Sequence, residues 1–233
     1  GTVGHPSSQA LSATNGTFTG DVGIGTASPS QKLHVAGNVY NTGFVNSAGS
    51  GTAGGYQFAD GNAMIYRATN DLAIKLQGTE TLRINSTGAV TKPLQPAFLA
   101  IAGTEQSNIA VGSGVAVVFG TETFDQNADF TSNTFTAPVT GKYQFNVSVN
   151  IRNVDSAADY YRIKLSTSNT NYHDLFDPDF GQDAAYWTMR VCVLVDMDAS
   201  DTAAINILQG SGTAQTDISG NAVYTFFSGY LVA

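Results

Sequence analysis

The sequence predicts an all-β chain in two parts, a low-density β-rich segment over residues 1–95 followed by a sandwich over residues 96–233. Composition is the first ground. Thr, Ser, Asn, Val and 25 Gly are plentiful, good helix formers are scarce, and only three of the 18 acidic residues (Glu80, Glu105 and Glu122) are Glu. Thr and Val suit a pleated surface, whereas Asp, Asn and Gly supply turns. Alternation is the second ground. Between Lys142 and Arg152, Tyr143, Phe145, Val147, Val149 and Ile151 fall on one face and Gln144, Asn146, Ser148 and Asn150 on the other. That is the period of a half-buried antiparallel strand with one wet face.

In chain order, Gly1–Thr17 is polar, carries no charged-then-apolar leader pattern, and is expected to order only against neighbours. Short apolar fragments follow: Asp21-Val-Gly-Ile-Gly25, Lys32-Leu-His-Val35, Ala73-Ile-Lys-Leu76 and Thr81-Leu-Arg-Ile84. Each offers two or three side chains to bury, too few for independent stability, so pairing with other copies of the chain is expected. Phe18-Thr-Gly-Asp-Val22 and Ser86-Thr-Gly-Ala-Val90 echo one another, which suggests one hairpin unit used twice. Gly23-Ile-Gly25 reads as a β-turn; a phosphate loop would need a following Gly-Lys-Ser/Thr and a helix to cap.

Longer strands are expected from Phe98 onward: Phe98–Ala102, Val115–Phe119, Asn133–Ala137, Lys142–Arg152, Tyr160–Ser166, Trp187–Val195, Ala203–Leu208 and Ala222–Val232. Pro138-Val-Thr-Gly141, Asp177-Pro-Asp179, Asp196-Met-Asp-Ala-Ser-Asp201 and Ser219-Gly-Asn221 supply the turns. About eight strands in one unit point to a sandwich. The last strand is apolar on both faces, with Tyr224, Phe226 and Tyr230 on one and Phe227 and Leu231 on the other. A second subunit is expected to cover the first of these sets, which makes Tyr224, Phe226 and Tyr230 the expected trimer interface.

Charge narrows the partners. A formal net charge of −8 disfavours nucleic acid and polyanionic membrane surfaces, and three copies would carry three times −8, or −24. No apolar run is long enough to span a bilayer, so no membrane insertion is expected. The single cysteine, Cys192, excludes an intrachain disulfide framework and reads as a small strand residue.

Several stretches match known families. Phe98-Leu-Ala100, Phe119 with Glu122 and Asp125, Phe135-Thr-Ala-Pro-Val-Thr-Gly-Lys-Tyr-Gln-Phe145 and Thr225-Phe-Phe-Ser-Gly-Tyr-Leu231 resemble the head of complement C1q-like proteins. The resemblance covers about residues 97–233 and implies a ten-stranded jelly roll, related to tumour necrosis factor, that forms tight homotrimers. No collagen Gly-X-Y stalk precedes it. Instead, Asp21-Val-Gly-Ile-Gly-Thr-Ala-Ser-Pro29 with Lys32-Leu-His-Val35 resembles a segment of phage tail fibres, and Glu80-Thr-Leu-Arg-Ile-Asn-Ser-Thr-Gly-Ala-Val90 is similar to the stretch that precedes such a segment. Thr91-Lys-Pro93 then departs from that pattern, as if a stalk ends there. The resemblance implies an elongated, intertwined trimeric stalk with a receptor-facing tip.

Catalytic motifs are lacking. His5, His34 and His173 lie in no hydrolase or metalloprotease context, and no catalytic residue is assigned. Asp174, Asp177, Asp179 and Asp183 have the composition of a glycosidase carboxylate pair, but Asp is equally the ordinary residue of exposed turns, and that reading is favoured. By the C1q resemblance, Asp179 and Asp183 are expected calcium ligands, in a loop whose hard oxygens suit that ion; no cofactor is required. Tyr172, Asp177, Asp179 and Tyr186 are the expected receptor-binding residues, since aromatic rings stack on sugars. The function expected is that of a non-enzymatic virion fibre tip, extracellular, joined to upstream virion proteins and binding a host surface glycan or protein. The alternatives are a purely structural trimerisation head and a glycan-depolymerising tailspike.

Overall fold

The computed structural model describes residues 20–39, 55–58 and 62–233. Expectations for Gly1–Thr17 and for the start of the first echo lie outside those residues. The chain forms two compact units, Gly1–Gly49 and Ser50–Ala233.

In the first unit, β1 (Val22–Ile24) pairs in parallel with β2 (Leu33–Val35). Gly23 and Ile24 are strand residues paired with His34 and Val35, so the β-turn expected at Gly-Ile-Gly is not formed there; Gly25 ends the strand at φ +73°, where a Cβ would sit 2.9 Å from the Ala36 carbonyl oxygen. The partner strand is parallel, so this element is not a hairpin.

The second unit opens with a single five-stranded antiparallel sheet: β3 (Gly55–Phe58), β4 (Ala63–Ala68), β5 (Asp71–Leu76), β6 (Thr79–Ile84) and β7 (Val90–Thr91), paired in chain order. Ser86-Thr-Gly-Ala-Val90 forms the β6–β7 connection, where Asn85 Oδ1 accepts from the Thr87 and Ala89 backbone N–H groups. Of the first echo only Gly20-Asp-Val22 is described, and it leads into β1 as Gly88-Ala-Val90 leads into β7. Across one face of the sheet Arg83 bonds Asp71 at 2.7 Å and also Glu80, whose carboxylate accepts from the Tyr66 hydroxyl. Those bonds to Arg83 hold both carboxyls below the usual carboxylate range.

The head follows as β8 (Ala97–Ile101), β9 (Val115–Ala116), β10 (Thr121–Asp125), β11 (Phe130–Thr131), β12 (Thr134–Thr136), β13 (Gly141–Val154), β14 (Tyr160–Thr167), β15 (Asn171–Phe176), β16 (Ala184–Met197), β17 (Thr202–Gly210), β18 (Asp217–Ile218) and β19 (Phe226–Leu231). The front sheet runs β10-β8-β19-β13-β16 with β18 on β13; the back sheet runs β11-β12-β17-β14-β15 with β9 on β17. Every pairing in both is antiparallel. Twelve strands divided six and six, five along each sheet's main path and one short strand beside it, with the chain crossing repeatedly between layers, make a jelly roll.

Phenylalanines join the layers. Phe98 of β8 stacks at 4.8 Å on Phe130 of β11 and at 5.1 Å on Phe135 of β12, and meets Phe227 of β19 edge-on at 5.0 Å. Inward-facing Tyr143, Phe145, Val147, Val149 and Ile151 of β13 are fully buried, as their alternation predicts.

Four expectations change. Val115–Phe119 shrinks to a two-residue strand, because Val117 and Phe119 bury themselves from irregular chain. Ser148 and Asn150, expected to be wet, are buried: the Ser148 hydroxyl donates to the Tyr224 carbonyl, and the Asn150 amide donates to Trp187 and Thr188. The last strand begins at Phe226, so Tyr224 lies in the preceding turn and not in the strand row of Phe226 and Tyr230. Strand β15 was not expected, because Asp174 on the inner side of Asn-Tyr-His-Asp-Leu-Phe masks the alternation.

Gly229 has no room for a side chain: a Cβ there would lie 2.5 Å from Phe145 and 2.8 Å from Phe98. Gly229→Ala is expected to overpack this site and cost about 1–3 kcal/mol. A thermal midpoint equal to wild type in calorimetry would refute this account of the Phe-Ser-Gly-Tyr-Leu ending.

Candidate functional site

Two surfaces of the head stand out, and the strand directions fix where they lie. β8 leaves the β3–β7 sheet at its Ala97 end, β19 returns to that end at Leu231, and β13 starts there, its Lys142 N–H donating to the Ala233 carbonyl at 2.7 Å. The junction is held by side-chain amides. Gln126 donates to the Lys92 and Gln95 carbonyls, Asn127 to Leu94, and Gln95 to Leu231. At the far end of β13, 14 residues and roughly 40 Å away at ~3.3 Å per residue, lie the connections 102–114, 155–159, 177–183 and 211–225.

The first surface is the outer face of the front sheet. Register places Leu99, Ser228, Asn146 and Cys192 in one row, and Ala97, Tyr230, Gln144 and Leu194 in the next. Phe124 on β10 and Phe226 on β19 extend it. Ion pairs bound it: Lys142–Asp196 at 3.1 Å near the junction and Arg152–Glu105 at 2.8 Å at the distal end. Between them, Arg190 is the only charged residue that β8, β13, β16 and β19 present on this face. The back sheet differs, its outer face carrying Arg162, Lys164 and His173 as neighbours. Burial and those two cations push the His173 pKa down.

The second surface is an open cleft of about 720 Å³ at the distal end, lined by Glu105, Asn150, Arg152, Tyr186, Asn221 and Tyr224 among others. Tyr186 is 70% exposed and Tyr224 52%. Gly220 lets the 219–221 loop close on Thr104 and Glu105, since a Cβ there would meet the Glu105 backbone nitrogen at 2.4 Å. An aromatic ladder lies at the same end: Tyr161 stacks on Phe176 at 5.2 Å, and Phe176 meets Trp187 at 5.0 Å, which meets Phe180 at 5.4 Å.

A buried carboxylate organises these distal connections. Asp155 accepts from the backbone N–H groups of Ala157 at 2.9 Å, Ala214 at 2.7 Å and Thr213. Its own N–H donates to the Tyr161 hydroxyl, which in turn reaches Thr216 at 2.6 Å. Burial pushes the Asp155 carboxyl up, but the backbone donors outweigh it and hold the pKa below the ordinary value.

The expected receptor residues do not converge. Tyr186 enters the distal cleft; Asp177 and Asp179 lie in the 177–183 connection, where Asp177 accepts from the Asp179 N–H at 3.2 Å. Tyr172 lines a small recess with Asn169, Asp196 and Asp198 at the junction end of β15, about 16 Å along the strand from Asp177. Asp183 accepts from the Ser156 N–H and hydroxyl at 2.9 and 2.7 Å, bonds that lower its pKa. Asp174 accepts from the Arg190 N–H at 3.0 Å. Among the described residues no cluster of three or more His, Cys, Asp or Glu could hold a metal ion, and no helix is long and apolar enough to cross a membrane. The sequence reading missed Glu105, Asn150, Arg152 and Asn221, which come from distant connections and carry no local motif.

By strand order and sheet pairing, the class is an all-β jelly-roll head, its two sheets holding ten strands along their main paths, as the C1q resemblance implies, and the short strands β9 and β18 besides. Among solved structures, the globular domain of zebrafish complement 1qA protein is 18% identical with a TM-score of 0.42, covering 60% of this chain and 98% of that one. Murine APRIL at pH 8.0 is 10% identical with a TM-score of 0.45, covering 59% of this chain and 99% of that one. No family model and no curated protein matches the chain.

Because the folded pKa of Asp155 is depressed, its stabilisation is present above the unfolded value of about 4 and lost as pH falls through the folded value. Asp155→Asn is expected to lower the thermal midpoint at neutral pH and to flatten its decline as pH falls below about 4. A variant that declines as steeply as wild type would contradict this role.

Proposed function

We propose that this chain is the distal part of a homotrimeric virion fibre of the phage tail-fibre type, whose C1q/TNF-like head attaches the particle to a host-surface glycan. The observation that carries the reading is the outer face of the front sheet. Each copy carries a net charge of −8, so copies repel least where they meet through surface that carries little charge. Leu99, Phe226, Tyr230 and Leu194 offer such a surface, and the C1q resemblance implies that it is shared by three copies.

Attachment falls to the distal end because the opposite end is taken by the β3–β7 sheet. Tyr186 offers an exposed ring for stacking on a sugar, and Glu105, Arg152 and Asn221 offer acceptors and donors for its hydroxyls. Three equivalent clefts on one head would raise avidity without further chemistry. The carboxylates of Asp174 and Asp183 are engaged by backbone donors, which fits binding better than bond cleavage.

Light scattering at neutral pH is expected to give a mass near three chains that resists dilution. Tyr230→Asp should place a charge in the shared face and dissociate or misfold the head; a stable trimer carrying that substitution would refute the assignment of the face. Tyr186→Ala is expected to keep the trimeric mass while reducing attachment to host cells. Full attachment would move recognition away from the cleft and leave the head an assembly role.

A further inference from the structure

The back sheet of the head turns an unusual set of charges outward. Its strands β9, β11, β12, β14, β15 and β17 contain one acidic residue, Asp174. That residue lies on the inner side, paired with buried Ile163, and its carboxylate accepts from the Arg190 N–H of β16. The outer side carries Arg162 and Lys164, two residues apart on β14, with His173 of β15 directly opposite Lys164. Cations beside and across from one another repel, so the arrangement costs stability in a chain with 18 acidic residues to offer as partners. Neither Arg162 nor Lys164 forms an ion pair among the described residues, and the Arg162 Nε is buried without a hydrogen-bond partner. A guanidinium left in that state is stabilised by any oxyanion that reaches it.

The two cations border a recess of about 230 Å³, lined also by Gly114, Asn206 and Leu208. Arg162 lies over the Tyr160 ring at 6.0 Å from its centroid, which sets an aromatic face beside the guanidinium. Asn206, in register with Lys164, brings a side-chain amide that can both donate and accept. The cations suit an oxyanion, and the amide and the ring suit a hydroxyl-bearing ring joined to it. A recess of this size holds one charged group, and a molecule of net charge −8 repels an extended polyanion such as nucleic acid. We propose that this recess is a second carbohydrate subsite, taking the carboxylate of an acidic sugar on Arg162 and Lys164. It rests on the glycan reading above for the class of ligand, and on none of the residues of the Tyr186 cleft. His173 reports on it. β15 is the edge strand, so Arg162 and Lys164 of β14 are the charges that face His173 across the sheet, and Asp174 on the other side is tied to the β16 backbone. A carboxylate bound among them favours the imidazolium and raises the His173 pKa.

Glucuronate is the probe, with its uncharged methyl ester and acetate as controls, and the full chain is the protein. Proton NMR, with the His173 signal identified by its loss in His173→Gln, should show the His173 pKa rise in glucuronate and stay in place in the ester. Arg162→Gln and Lys164→Gln should each weaken glucuronate binding by roughly tenfold, and each should keep the thermal midpoint at or above wild type, because a repelling cation is removed. A midpoint lowered in both variants would make the cations structural and overturn the inference. Glucuronate binding that survives both substitutions overturns it as well, and acetate that binds as tightly as glucuronate overturns the assignment to a sugar. An unmoved His173 in glucuronate, with host attachment still dependent on Tyr186, overturns the inference and leaves the proposed function standing. Full attachment by Tyr186→Ala, with glucuronate still bound through Arg162 and Lys164, does the reverse: it removes the cleft and supports this subsite.

Discussion

Phe98 touches both layers of the head at once, and the rest of the sandwich is arranged around that contact. Its ring lies between Phe130 and Phe135 of the back sheet and Phe145 and Phe227 of the front sheet, at 4.8 to 6.5 Å. Aromatic pairs at these distances add to the burial of their area, so the cluster both fills and orients the core. It also fixes Gly229, because a strand carrying Phe227 inward brings its next inward position against the rings of Phe98 and Phe145. Packing of the two layers, the register of β19 and the outward display of Phe226 and Tyr230 are therefore one decision.

With the inner faces settled, the outer faces are free to diverge. The front sheet presents a nearly uncharged surface bounded by ion pairs, and the back sheet presents Arg162, Lys164 and His173. The distal connections are irregular chain, which needs partners for its backbone. Asp155 supplies them for Ala157, Thr213 and Ala214, and Tyr161 and Thr216 extend the network to the β13–β14 corner. A rigid scaffold thus positions the Tyr186 cleft on loops, where binding surfaces commonly lie.

Much of this was legible in the sequence. Alternation over residues 142–152 placed five core side chains correctly, since period-two burial is a local property of a strand. The two-layered jelly roll followed from motifs that are themselves packing constraints, such as Phe135 and Gly229. What the sequence did not disclose was non-local. Ser148 and Asn150 look wet along β13 and are buried only because the 219–225 loop returns over them. The cleft residues Glu105, Arg152 and Asn221 come from three separate stretches, with no spacing rule to join them. Tyr186 and Tyr224, assigned to different surfaces from the sequence, line the same cleft.

The junction at Pro96 has a mechanical side. β8 is paired along its length with β19 on one edge and β10 on the other. Tension entering through the backbone at Ala97 acts along the axis of β8, so those two ladders are loaded in shear and their bonds must yield together instead of peeling singly. The amide clamps of Gln126 and Asn127 on residues 92–95 lie upstream of that point and would give first. A pull on the chain would then extend the junction before it disturbs the core, a built-in slack ahead of a stiff spring.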